Sequence, residues 1–179
     1  MTMEQRMSDT LRTAWMVSPA GDDCSVEQSS IGNRLLRILE PEDFAALAPY
    51  LQRVALKPES TLARTGEQIE NVCFPEAAVI GLVDVLESGQ RLATALSGRE
   101  GFIGWPLVLG SDRWPHEALV RAQQGTALTL RAADLMSILD RHPRIRMVLL
   151  RYAMTLVAQM TRTIVSNLIH PVNCRTARW

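Results

Sequence analysis

Two glycines three positions apart, Gly101 and Gly104, bracket Phe102 and Ile103 in the stretch "GFIGWPLVLGSDRWPHEALVRA". Glycine lets backbone N–H groups approach an anion closely, and the start of a helix directs partial positive charge toward the same point. The apolar run after Gly104 has room for one or two helical turns, and "EALVRA" alternates as a strand does. The chemistry this spacing suggests is a cradle for a phosphate. The surrounding side chains are mixed. Arg99 and Arg113 bring positive charge, Trp105 an aromatic face, His116 an imidazole and Glu117 a carboxylate. A carboxylate repels a phosphate, so the backbone half of an anion site is present while its side chains are of both signs, and spacing does not aim Arg99 or Arg113 at it.

Other chemistry is thinly represented. His116, His142 and His170 have no ligand spacing between them, and Cys24, Cys73 and Cys174 lack the short spacings that build zinc or iron–sulfur sites. No metal is expected, and the thiols read as reduced. Ser111, Asp112 and His116 supply the residue types of a hydrolytic triad, but no nucleophile-elbow glycines accompany them, so the reading is not an enzyme. The eight methionines read as core filler.

The elements that must position these residues follow from periodicity. Residues 1–30 lack a sustained period and collect Ser, Gly and Asp, as a flexible leader does. "NRLLRILEPEDFAALAPYLQRV" reads as two short helices, the first capped by Asn33 and the second started by Pro41. From Gln52 to Arg131 come seven short alternating or β-branched runs separated by turn residues, with "VLESGQR" the clearest hairpin because Gly89 tolerates positive φ. Seven or eight strands at that spacing predict an antiparallel roll or sandwich. "AADLMSILDRH" then makes a short helix, and Pro143 starts one of about seven turns.

On that long helix Ile145, Leu149, Tyr152, Leu156 and Met160 form one apolar stripe; Met147, Leu150, Met154, Val157, Val165 and Leu168 form a second beside it. Arg144, Arg151 and Arg162 share the remaining face, while Arg146 falls between the stripes. One stripe buries a helix against its own domain, and a second calls for a partner, most simply a symmetry-related copy. The second stripe is the expected dimer interface.

The chain is neutral overall, with 19 basic and 19 acidic residues, but residues 141–179 hold seven arginines and no acid. Such asymmetry marks a part that faces an anionic partner or completes a neighbouring domain, or else a solvated helix face. No secretory signal is recognisable, and Arg151 interrupts the longest apolar stretch, so no membrane partner is expected and the location reads as cytoplasmic.

The order of elements resembles the Crp/Fnr family of bacterial transcription regulators. "LARTGEQ" (62–68) is similar to an early strand and Gly-Glu turn of the family's β-roll, and "GREGFIG" (98–104) to the beginning of its phosphate-binding cassette. "RHPRIR" and "SNLIHPVNCRTARW" are similar to the start of its long helix and the hinge beyond. The resemblance covers residues 31–179. It implies a mainly β fold with flanking helices, a cyclic-nucleotide-binding-like antiparallel roll of the jelly-roll type over 31–142, a dimerisation helix over 143–169, and a hinge over 170–179 leading to a helix-turn-helix domain absent from this chain.

It also implies an effector pocket at Arg99, Gly101, Phe102, Ile103, Gly104, Trp105, Arg113, His116 and Glu117, with a cyclic nucleotide or another small effector as the ligand. Two departures stand out. Trp105 occupies the position where cyclic-nucleotide binders place a ribose-holding glutamate, and Pro115-His116-Glu117 stands where they place an arginine followed by Ser or Thr. Losing that arginine removes charge-assisted bonds on the order of 1.5–3 kcal/mol each. Some relatives use heme, but a single histidine near the cassette is more often structural, and an iron–sulfur cluster needs four cysteines where this chain has three.

The expected function is a non-enzymatic sensory and dimerisation module, with DNA contacted only through the absent domain. The alternative is a stand-alone dimerisation scaffold whose pocket is filled by Trp105 or Trp114 and binds no nucleotide.

Overall fold

The computed structural model describes residues 26–121 and 125–169. Most of the expected leader and the whole expected hinge lie outside them. The leader reaches into the described residues at Gln28–Ser30, a 3-10 turn whose Gln28 side chain donates to the carbonyls of Leu36 (3.2 Å) and Leu39 (2.8 Å).

Helix α1 (Arg34–Arg37) begins as its capping residue requires, with Asn33 Oδ1 accepting from the Leu36 N–H at 3.0 Å. Pro41 opens α2 (Pro41–Leu47), where its missing N–H costs no helical bond. Seven strands follow: β1 (Gln52–Leu56), β2 (Thr61–Ala63), β3 (Asn71–Pro75), β4 (Ile80–Val85), β5 (Arg91–Ser97), β6 (Glu117–Val120) and β7 (Gly125–Arg131). Each coincides with an alternating run read from the sequence. Between β5 and β6 lies the single turn of α3 (Trp105–Val108); α4 (Ala132–Arg141) and the 27-residue α5 (Pro143–Ile169) close the described chain.

All strand pairs are antiparallel, in two sheets ordered β1-β7-β3 and β2-β6-β4-β5. The β4–β5 hairpin turns at Gly89, whose φ of +78° is open to glycine at no steric cost. Inner faces of both sheets contribute Phe74, Leu128, Ile80 and Leu82 to one core, which continues through Leu135, Ile138 and Leu139 of α4 to Ile145 and Leu149 of α5.

The long helix separates its two stripes as the sequence reading requires. Ile145, Leu149 and Leu156 are buried and Tyr152 and Met160 half-buried, packed on the roll. Met147, Met154, Val157, Val165 and Leu168 are exposed and Leu150 is half-buried. Arg146, which fitted neither stripe, pairs with Asp140 of α4 at 2.7 Å and so braces the junction between the two helices. His142 at that junction approaches Asp43 of α2 at 3.4 Å. No helix of the described residues is long and apolar enough to cross a membrane.

Candidate effector site

The cassette stretch is stitched to β3. Ile103 N–H donates to Cys73 O at 2.7 Å, and Cys73 N–H donates back to Ile103 O at 2.9 Å. This pair drops Phe102 and Ile103 into the core, both fully buried. Phe102 stacks on Phe74 with centroids 5.6 Å apart and also meets Tyr152 of α5 at 5.4 Å. Burying a side chain of this size stabilises by about 1.5–3 kcal/mol, so the segment is anchored well beyond thermal energy. The Cys73 thiol beneath it is held neutral, burial pushing its pKa far up.

Both glycines have specific neighbours. A Cβ on Gly101 would lie 2.2 Å from Tyr152 Oη, and one on Gly104 would lie 2.4 Å from Val72 Cγ1 at a φ of +126°. The space a side chain would fill is thus taken by α5 at the first glycine and by β3 at the second. Two backbone donors nearby are engaged inside the chain. Gly101 N–H donates to Gly98 O (3.1 Å) and Leu107 N–H to Gly104 O (3.1 Å), and Pro106 has none to offer.

Trp105 and His116 come together, ring centroids 6.3 Å apart. His116 Nδ1 also lies 2.7 Å from Asp84 Oδ1. Asp84 was not singled out by sequence reading, although a lone acid in the apolar run "AVIGLVDVL" was a signal that it serves a purpose. Glu117 points elsewhere. Successive strand residues face opposite sides; Ala118 and Val120 enter the core, whereas Glu117 turns toward Arg91 of β5, 3.4 Å from its Oε2. The carboxylate beside His116 is therefore that of Asp84.

The two cations also part company. Arg113 reaches back to the Gly-Glu turn, donating from Nη1 to Gly66 O at 2.8 Å, while Arg99 is exposed and offers its backbone carbonyl to the Arg34 N–H. Trp114 is buried and its backbone locks the same turn through bonds to Glu67 O (3.0 Å) and from Gly66 N–H (2.8 Å).

Two residues outside the expected set hold the cassette in place. Asn33 Nδ2 donates to Gly101 O (2.9 Å) and Pro75 O (2.8 Å) while its oxygen caps α1. Tyr152 Oη shares a 2.7 Å hydrogen bond with Ser97 Oγ at the end of β5. Burial raises the Tyr152 phenol to about 12, the Glu100 carboxylate adding to the shift and the Ser97 bond opposing it. Among the described residues no group of three His, Cys, Asp or Glu could hold a metal ion.

No protein-family model matches the chain, and no curated protein matches it by sequence. Solved structures do match in shape. The N-terminal domain of a transcriptional regulator from Streptomyces coelicolor is 20% identical at a TM-score of 0.54, the match covering 78% of this chain and 94% of that one. The c-di-GMP responsive global regulator CLP from Xanthomonas campestris is 14% identical at a TM-score of 0.64, covering 78% and 70%. A cyclic nucleotide-binding domain from Methylobacillus flagellatus is 13% identical at a TM-score of 0.57, covering 93% and 83%. Identities this low speak to the fold, and the two antiparallel sheets, the cassette turn and the long closing helix together give this chain the fold of a cyclic nucleotide-binding domain.

Proposed function

We propose that this chain is the non-enzymatic sensory and dimerisation module of a Crp/Fnr-type transcription regulator. A small effector held by the roll biases the packing of α5, two chains pair along the exposed stripe of that helix, and DNA is contacted only through a further domain. The observation that carries this reading is the shared contact between cassette and helix: Tyr152 is bonded to Ser97, packed on Phe102 and seated in the space left by Gly101. A shift of the cassette is then felt by α5 directly. An effector signals this way only if it binds one packing better than the other. The likeness in fold to domains of transcription regulators supports the assignment.

A second reading has its own observation. Trp105 lies against His116, His116 is paired with Asp84, and the cassette N–H groups named above are bonded within the chain. This favours a constitutive dimerisation scaffold whose pocket is self-filled.

One experiment addresses both. Sedimentation at micromolar concentration is expected to give a dimer, and the double variant Met154→Glu, Val157→Glu a folded monomer; a monomeric native chain overturns both readings. Thermal-shift titration with cyclic AMP, cyclic GMP and cyclic di-GMP then separates them. Stabilisation by one of these at millimolar concentration supports the sensor, and none by any favours the scaffold or a different effector.

A further inference from the structure

A groove of about 360 Å³ runs between α1, the end of β5 and α5, bounded by Tyr152 and reaching Glu100 at the start of the cassette stretch. Its walls include Leu35, Leu96, Val148 and Leu156, all apolar. At the rim stand two opposite charges, Arg151 and Glu100. They are not equivalent. Glu100 Oε1 accepts from the Gly98 N–H at 2.8 Å, which turns its carboxylate into its own loop. Arg151 is exposed, and among the described residues its guanidinium makes no ion pair or hydrogen bond. The groove therefore joins an apolar trough to one uncommitted cation.

We propose that this groove is a small-molecule site, distinct from the Trp105–His116 side of the cassette, for a slender apolar body ending in a carboxylate. The trough takes the hydrocarbon, which gains by leaving water, and Arg151 takes the carboxylate, whose two oxygens match the planar fork of a guanidinium. A neutral chain would leave Arg151 unpaired, and a cationic one would have to turn from Arg151 to the Glu100 carboxylate, which is already hydrogen-bonded to the Gly98 N–H. Because Tyr152 lines the same groove, a bound chain touches the ring that also packs on Phe102. That regulatory consequence rests on the function proposed above; the binding itself does not.

The test uses the full chain and three probes each built on a ten-carbon chain, the carboxyl carbon included: decanoate, decan-1-ol and decyltrimethylammonium. Calorimetric titration is expected to show decanoate binding about tenfold more tightly than the alcohol, with the ammonium weakest. Arg151→Gln, at an exposed helix position, is expected to erase the advantage of decanoate over decanol. Thr155→Trp, also exposed and at the groove wall, is expected to weaken both probes by filling the trough. Equal affinity for decanoate and decanol in the native chain, or decanoate binding unchanged in both variants, overturns the proposal. Sedimentation of the same samples keeps the two readings apart. A dimer that binds no decanoate removes the groove alone, and a monomer that binds it removes the dimer alone.

Discussion

The hydroxyl of Tyr152, midway along the long helix, lies 2.7 Å from the hydroxyl of Ser97 at the end of β5, and the tyrosine ring closes over Gly101. Ser97 is fully buried, so its hydroxyl depends on this partner. The hydrogen bond is a mechanical joint between roll and helix, because the buried Ser97 hydroxyl has no route to water without opening the packing around it.

Tyr152→Phe keeps the ring on Phe102 and leaves Ser97 Oγ unpaired, at an expected cost of about 1–2 kcal/mol. In a double-mutant cycle with Ser97→Ala, urea unfolding should give a coupling near 1 kcal/mol; additive losses would mean the bond contributes nothing. The sign of the pH dependence is fixed by the raised phenol. Its folded value of about 12 exceeds the ordinary value of 10, so its share of stability is complete below about pH 10 and drains away as pH climbs toward 12. Native protein should lose stability over that window and Tyr152→Phe should lose less.

The two glycines of the cassette should fail for different reasons. Gly101→Ala collides with Tyr152, and Gly104→Ala collides with Val72 while also forcing a side chain onto a φ of +126°. Each is expected to cost about 1–3 kcal/mol by thermal or urea unfolding. Adding Tyr152→Leu should recover much of the loss from Gly101→Ala and none from Gly104→Ala. Equal rescue of both would show that Tyr152 does not occupy the space beside Gly101.

Asn33 combines two jobs that substitutions can separate. Asn33→Ala removes the cap of α1 and the donors to Pro75 O and Gly101 O, for an expected loss of about 2–4 kcal/mol. Asn33→Asp retains the cap but brings a carboxylate against two carbonyl oxygens. It should destabilise at least as much as Asn33→Ala, and an aspartate variant of native stability would remove the cassette-holding role.

Much of the architecture is written in local pattern. The seven alternating runs became seven strands, Asn33 and Pro41 opened the helices they were expected to open, and Gly89 sits at positive φ in the hairpin turn. Each of these depends on residues within a few positions of one another, where side-chain period and backbone sterics decide alone. The inner stripe of α5 was legible for the same reason, and Tyr152 was already placed on it.

The site was less legible because its partners come from distant parts of the chain. Spacing alone marked Gly101 and Gly104 as positions of close approach, but not what approaches; that is a tyrosine some fifty residues downstream and a valine on β3. Glu117 read as a carboxylate next to His116, yet strand alternation sends it toward Arg91 and leaves Asp84 to pair with the imidazole. By itself the sequence determined which elements form and which faces they bury, since those follow from short-range periodicity. Tertiary structure decided which side chains meet, since two sheets and a helix must first be stacked before Asn33, Ser97, Gly101 and Tyr152 can share one small volume.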